Sequence, residues 1–146
     1  MDNPTLLFKR MRNHDLPLPC YETDGSSGMD LRVVEDISIQ PLSVAKAPTG
    51  WAVEIPKGYE GQIRIRSSAS QQNLIIPNSP GTIDSDYRGE VIILLRNMSL
   101  DRIVIPAGRR IAQLIIAPVA LAHVQVVDDL STTERADGGF GSTGQD

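Results

Sequence analysis

Three stretches of this chain carry residue types that could do chemistry. Residues 81–90, Gly-Thr-Ile-Asp-Ser-Asp-Tyr-Arg-Gly-Glu, place two carboxylates, a phenol ring and a guanidinium between two glycines, just before the apolar run Val91–Leu95. Asp and Ser favour turns by bonding their own backbone, and glycine permits angles or close approaches that a Cβ would block. A tight β-hairpin is expected here, with Asp84, Asp86 and Tyr87 able to aim at one small ligand; an ordinary acidic turn fits the same letters. Arg66-Ser67-Ser68 closes an alternating apolar and charged run. A planar guanidinium and two hydroxyls can hold phosphate oxygens, though a serine-rich turn with a solvated arginine is an equal account. Third, Arg135, Phe140, Ser142 and Thr143 stand in a tail where four of the chain's twelve glycines fall between 138 and 144. Cation, free amides and hydroxyls are the parts of a phosphate-cradling lid; a loose terminus is the alternative.

These residues need elements to position them, and the pattern is one of short strands. Met29–Val34, Trp51–Ile55, Gln62–Arg66, Leu74–Ile76, Glu90–Arg96, Arg102–Ile105, Ile111–Ile116 and Val124–Val127 are each bounded by Gly, Pro, Asn or Asp. Gln62-Ile63-Arg64-Ile65-Arg66 alternates with period two, and no window carries a helical stripe, so any helix is short. Strands at this spacing mean an all-β sandwich or barrel. Leu16-Pro-Leu-Pro-Cys20 must run extended. With one Trp, two Phe and three Tyr, the core has to be built of Ile, Val and Leu, which makes Tyr87 and Phe140, outside the apolar runs, worth a question.

Composition narrows the class further. The 146 residues suit one domain, and a net charge of −4 argues against a protein that grips a nucleic-acid backbone. It leaves room for a small phosphorylated ligand met by a local basic cluster. Cys20 is the single cysteine, so no intrachain disulfide and no Cys/His zinc array is possible, and a reducing, cytoplasmic setting follows. The N-terminus lacks the pattern of a signal peptide, and the apolar run Ile111–Ala122 is interrupted by Gln113 and Pro118, so no membrane partner is expected. His14 and His123 lack neighbours at metal-ligand spacing and are read as surface or edge residues.

Taken in order, Ser27-Gly-Met-Asp-Leu31, Arg66-Ser-Ser68, Gly81-Thr-Ile-Asp-Ser-Asp-Tyr-Arg-Gly89, Arg109-Arg-Ile-Ala-Gln-Leu114 and Arg135-Ala-Asp-Gly-Gly-Phe-Gly-Ser-Thr-Gly144 resemble the five motifs of the trimeric deoxyuridine triphosphate nucleotidohydrolases (dUTPases). The resemblance runs from about residue 16 to 144; the third and fifth stretches are specific and the others weak alone. It implies a jelly-roll-like, β-clip fold over residues 1–130 and a flexible arm over 131–146 that closes on a neighbouring subunit's site in a homotrimer. It also implies hydrolysis of dUTP to dUMP and pyrophosphate with Mg²⁺.

By the same resemblance, Asp84 would orient and deprotonate the water that attacks the α-phosphorus. Tyr87 would pack on the deoxyribose, so that a ribose 2′-hydroxyl clashes. Gly81, Thr82, Ile83, Ile92 and Asn78 would read uracil, because peptide groups and an amide match its donor and acceptor edge. Arg66, Ser67, Ser68 and Gln113 would hold the phosphates. Arg135 would act on the γ-phosphate, Phe140 would stack on the base, and Ser142 and Thr143 would donate to the terminal phosphate. Mg²⁺ would be held mainly by phosphate oxygens and water, with Asp30 reaching it through water or serving as a structural strand acid.

Some letters depart from the family pattern. Ile65 stands where proline is usual, Ala136 where glycine follows the arginine, and Gln71-Gln72-Asn73 replaces a more basic, glycine-bearing loop. Two other readings compete. A deoxycytidine triphosphate deaminase of the same superfamily is opposed by Asp84–Tyr87 and by the glycine-rich tail. A β-sandwich module that binds a nucleotide without turning it over is not distinguished by sequence.

Overall fold

The computed structural model describes residues 3–144, so the first two residues of the expected domain and the last two of the expected arm lie outside the described residues. Ten strands and one short helix follow in order: β1 (Leu7–Arg10), β2 (Met29–Arg32), β3 (Ile37–Ile39), β4 (Val44–Glu54), β5 (Tyr59–Ile65), α1 (Ser67–Ser70), β6 (Leu74–Ile75), β7 (Gly81–Ile83), β8 (Glu90–Asn97), β9 (Ile103–Ile105) and β10 (Arg110–Pro118). They form two four-stranded antiparallel sheets, β1-β4-β8-β6 and β2-β10-β5-β7, and a ribbon of β3 with β9. The all-β expectation holds, and the one helix is a single turn.

Period-two alternation makes the sandwich. On β8, Val91, Ile93 and Leu95 point inward, and on β10 Ala112 and Leu114 do so, with Ile111 also buried at the register shift that precedes them. Facing them are Leu31, Val33, Ile39, Val53, Ile55, Ile63, Leu74 and Ile105. Each such side chain, taken out of water, contributes about 1.5–3 kcal/mol. No aromatic residue belongs to this buried cluster; Phe8 and Tyr59 pack only against its margin, as the aromatic count required.

Three sequence expectations are corrected. Residues 81–90 are not a hairpin: β7 pairs with β5 in one sheet and β8 with β4 and β6 in the other. The acid-bearing turn therefore carries the chain across the sandwich. Val124–Val127 is not a strand of this chain; no neighbour pairs with it, and Val124 and Val126 are at least nine-tenths exposed. Arg66 is not in β5 but caps α1 with extended φ/ψ, so Ser67 and Ser68 begin a helical turn. β1 and β3 were not anticipated, being short and, in β1, largely exposed. Among the described residues no helix is long and apolar enough to cross a membrane.

Candidate active site

One group of predicted residues gathers where β2, β10 and β5 end together. Asp30 on β2 lies opposite Gln113 on β10, which lies opposite Arg64 on β5. Arg66 follows, its backbone N–H donating to the Ile111 carbonyl at 3.0 Å. Its Nε approaches Asp30 Oδ1 at 3.3 Å, while Arg110 Nη1 donates to Asp30 Oδ2 at 3.2 Å and also reaches Glu22 at 3.4 Å. Asp30 is thus a mostly buried carboxylate with both oxygens facing guanidinium groups. It clamps Arg66 in place, which is the structural alternative among its expected roles. Gly28 sits against Gln113: a Cβ there would stand 2.7 Å from Gln113 Oε1. Beside them Ser67 and Ser68 are exposed at the start of α1. Two arginines, an amide and two hydroxyls at the rim of one sheet form an anion-receiving surface.

The same donor set bears on Mg²⁺. Its one strand carboxylate already faces two cations, so it fits a metal brought on triphosphate oxygens better than one held in a protein cage. No group of three His, Cys, Asp or Glu with metal-ligand geometry occurs among the described residues.

A second group lies around β7. As the edge strand of its sheet, β7 has one side not paired to β5. Asn78 Nδ2 lies 3.5 Å from where a Cβ on Gly81 would project, so amide and glycine border one small space. After Ile83 the chain turns, with the Tyr87 N–H donating to the Asp84 carbonyl at 3.1 Å. Asp84 is exposed, and its carboxylate accepts no hydrogen bond among the described residues. It lines a concavity of about 680 Å³ with Ser85, Asp86, Arg88, Tyr59 and Glu60. Arg88 holds the turn by donating to the Ser85 carbonyl at 2.7 Å and pairing with Glu54 at 3.4 Å.

Tyr87 lies across Gly89. A Cβ on Gly89 would sit 2.5 Å from the phenol oxygen, so the close approach expected of that glycine is real. The hydroxyl donates to the Glu90 carbonyl at 2.9 Å, and the ring remains 45% exposed, which leaves one side for a ligand. Ile92 is half-buried on β8, opposite Pro48 of β4, in the sheet that does not contain β7.

Within one chain the two groups stay apart. Ile83 pairs with Gly61 near the start of β5, whereas Arg66 follows its end. Six residue steps along the strand lead from Glu60 to Arg66, roughly 20 Å. The tail joins neither. Arg135, Phe140, Ser142 and Thr143 are exposed, and the hydrogen bonds of 131–144 are local turns such as Gly138 N–H to the Arg135 carbonyl at 3.0 Å. Ala136 and Phe140 adopt left-handed φ of 50° and 52°.

Sequence reasoning missed the framework behind Tyr87. Glu90, Arg12 and His14 join Tyr87 to the irregular middle of β4. The one signal in the letters was a charged residue, Glu90, heading an apolar run; His14, expected at the surface or an edge, is part-buried against Trp51 at 5.3 Å between ring centres.

An antiparallel β sandwich with an arginine–serine surface at one end of a sheet and a carboxylate–tyrosine turn at the other is equipped to handle a phosphorylated nucleoside. The dUTPase family model matches residues 14–144. The chain is 49% identical over 141 residues to the deoxyuridine 5′-triphosphate nucleotidohydrolase of a Hydrogenobaculum species, covering 95% of this chain and 97% of that one. It is likewise 49% identical over 147 residues to the enzyme of that name from Rhizobium etli, covering 97% and 94%. A variant of the Staphylococcus bacteriophage 80alpha dUTPase, solved with dUpNHpp, superposes with a TM-score of 0.89 at 28% identity, over 97% of this chain and 99% of the other. The chain belongs to the dUTPase family of enzymes.

Proposed function

We propose that this protein hydrolyses dUTP to dUMP and pyrophosphate, lowering the dUTP available for incorporation into DNA and supplying dUMP for thymidylate synthesis. The observation that carries this reading is the turn at 84–90. It presents a carboxylate without a protein partner beside an aromatic ring fixed across a glycine. Asp84 accepts the proton of a water and directs it to the α-phosphorus, the general-base role that a free, exposed carboxylate can fill. Tyr87 offers its open side to the deoxyribose, and a 2′-hydroxyl meets the ring. Gly81, Thr82 and Ile83 on the free edge of β7, with Asn78 and with Ile92 of β8, read the uracil edge.

Arg66, preset by Asp30, receives the phosphate chain with Ser67, Ser68 and Gln113. Mg²⁺, brought on the triphosphate oxygens beside these residues, would supply charge neutralisation there.

The roughly 20 Å of strand between Arg66 and Asp84 in one chain supports a site whose two halves come from different copies, as in a homotrimer. The exposed valines at 124 and 126, unpaired in the single chain, are consistent with burial on assembly. The arm from 131 onward then brings Arg135, Phe140, Ser142 and Thr143 over a site built by its neighbours, excluding water and adding a cation. The test is pyrophosphate release from dUTP, dCTP, dTTP and UTP, with Mg²⁺ and with a chelator, while ammonia is followed. Mg²⁺-dependent turnover of dUTP alone is expected; ammonia from dCTP or silence on all four sinks the reading.

A further inference from the structure

We propose that Glu90, held by Arg12 and by the Gly50 amide, is a positioning residue that sets Tyr87 against the sugar and so governs how strictly a ribonucleotide is refused. The inference rests on the role given to Tyr87 above and adds residues outside that site. The Tyr87 hydroxyl is anchored on the Glu90 carbonyl at 2.9 Å, so the far end of the ring moves with the Glu90 backbone. That backbone is in turn fixed through its own side chain. Arg12 Nε donates to both Glu90 carboxylate oxygens at 3.0 Å, and the Gly50 N–H donates to Oε2 at 2.9 Å. The Glu90 side chain is 13% exposed, where charge-assisted hydrogen bonds are strong and hold geometry.

Gly50 is itself immobilised from the other side. It lies at φ +80° where the β4–β8 register shifts, and a Cβ there would meet His14 Nε2 at 2.5 Å. His14 Nε2 lies 2.8 Å from the Gly50 carbonyl, and the Leu16 N–H donates to His14 Nδ1 at 3.2 Å, an arrangement satisfied by the tautomer that carries its proton on Nε2. Arg12, at φ +64°, also reaches Glu35 at 3.5 Å. A segment just after β1, remote in sequence from the acidic turn, thus determines where the ring stands. A ring released at its hydroxyl end can tilt away from the sugar and admit a 2′-oxygen that the fixed ring repels.

The experiment measures kcat/KM for dUTP and for UTP in the intact protein, Arg12→Ala and Glu90→Gln, with thermal unfolding of each. Arg12 is nearly half exposed, so its loss leaves the core intact. The dUTP over UTP preference is expected to fall about tenfold in both variants, the loss of one charge-assisted bond felt at the sugar. A rise in KM for dUTP should exceed any change in kcat. A preference unchanged in both variants overturns the proposal, whatever happens to kcat or to the melting temperature. Absence of dUTP turnover by the intact protein would instead refute the activity reading, and this inference with it.

Discussion

Asp84 and Asp30 are the same residue type in opposite surroundings, and the surroundings suit them to different work. Asp30 faces the guanidinium groups of Arg66 and Arg110, whereas Asp84 has no side-chain partner among the described residues and stands at the mouth of a concavity. A carboxylate already engaged by two cations positions them; a free one can take a proton from water. Asp84→Asn should therefore lower kcat by about 10²- to 10⁴-fold, the usual worth of a positioned base, with KM and melting temperature little changed. Steady-state kinetics with a thermal melt checks this, and an Asp84→Asn enzyme within tenfold of the parent sinks the base role. The letters pointed to this residue through the family resemblance, since an acidic turn alone is common. They did not reveal Glu90 or Arg12: a salt bridge between residues 78 positions apart leaves no local pattern.

Strands are the level at which period-two alternation speaks most clearly, and it located most of this fold. β5, β8 and β10 each show it, since one face of each meets the core. It failed where burial is not the cause of pairing. β1 is joined to β4 with three of its four residues exposed, while β3, whose Ile37 and Ile39 are buried on either side of an exposed serine, is simply too short a run for alternation to declare. The sheet partner of β7 was hidden for another reason: adjacency in sequence to β8 suggested a hairpin, but Gly81–Ile83 is taken by β5.

The turn between β8 and β9 depends on a single polar residue. Asn97, fully buried, donates through Nδ2 to the Ile39 carbonyl at 3.1 Å and the Asp101 carbonyl at 2.7 Å. Its Oδ1 accepts from the Ser99 N–H at 2.8 Å. Asn97→Ala leaves these groups without partners and opens a gap, so a loss of about 3 kcal/mol is expected. A shift of the urea midpoint reads it, and a variant as stable as the parent would show that water replaces the amide.

At the scale of the whole molecule, the geometry of β5 decides what a single chain can do. It carries Arg66 at one end and, through β7, Asp84 at the other, so in one copy the arginine–serine group and the acid-bearing turn stand roughly 20 Å apart along the strand. The separation follows from which strands pair and from the length of the strand between, which no local run of letters discloses; sites shared between subunits were expected from the family resemblance alone. The arm adds a third part, with no hydrogen bond from residues 131–144 to the body of its own chain among the described residues. If the acid and the arm of a site come from different copies, two dead proteins should make a live one. Asp84→Asn chains lack the base but keep the arm; chains ending at Leu130 lack the arm but keep the base. After unfolding and refolding together in equal amounts, a site has one chance in two of an intact acid and one in two of an intact arm. About a quarter of the parent activity should return, where each protein refolded alone has almost none. Activity that stays at the level of the separate proteins, although mass measurement shows mixed assemblies, would mean that each arm closes on the acid of its own chain.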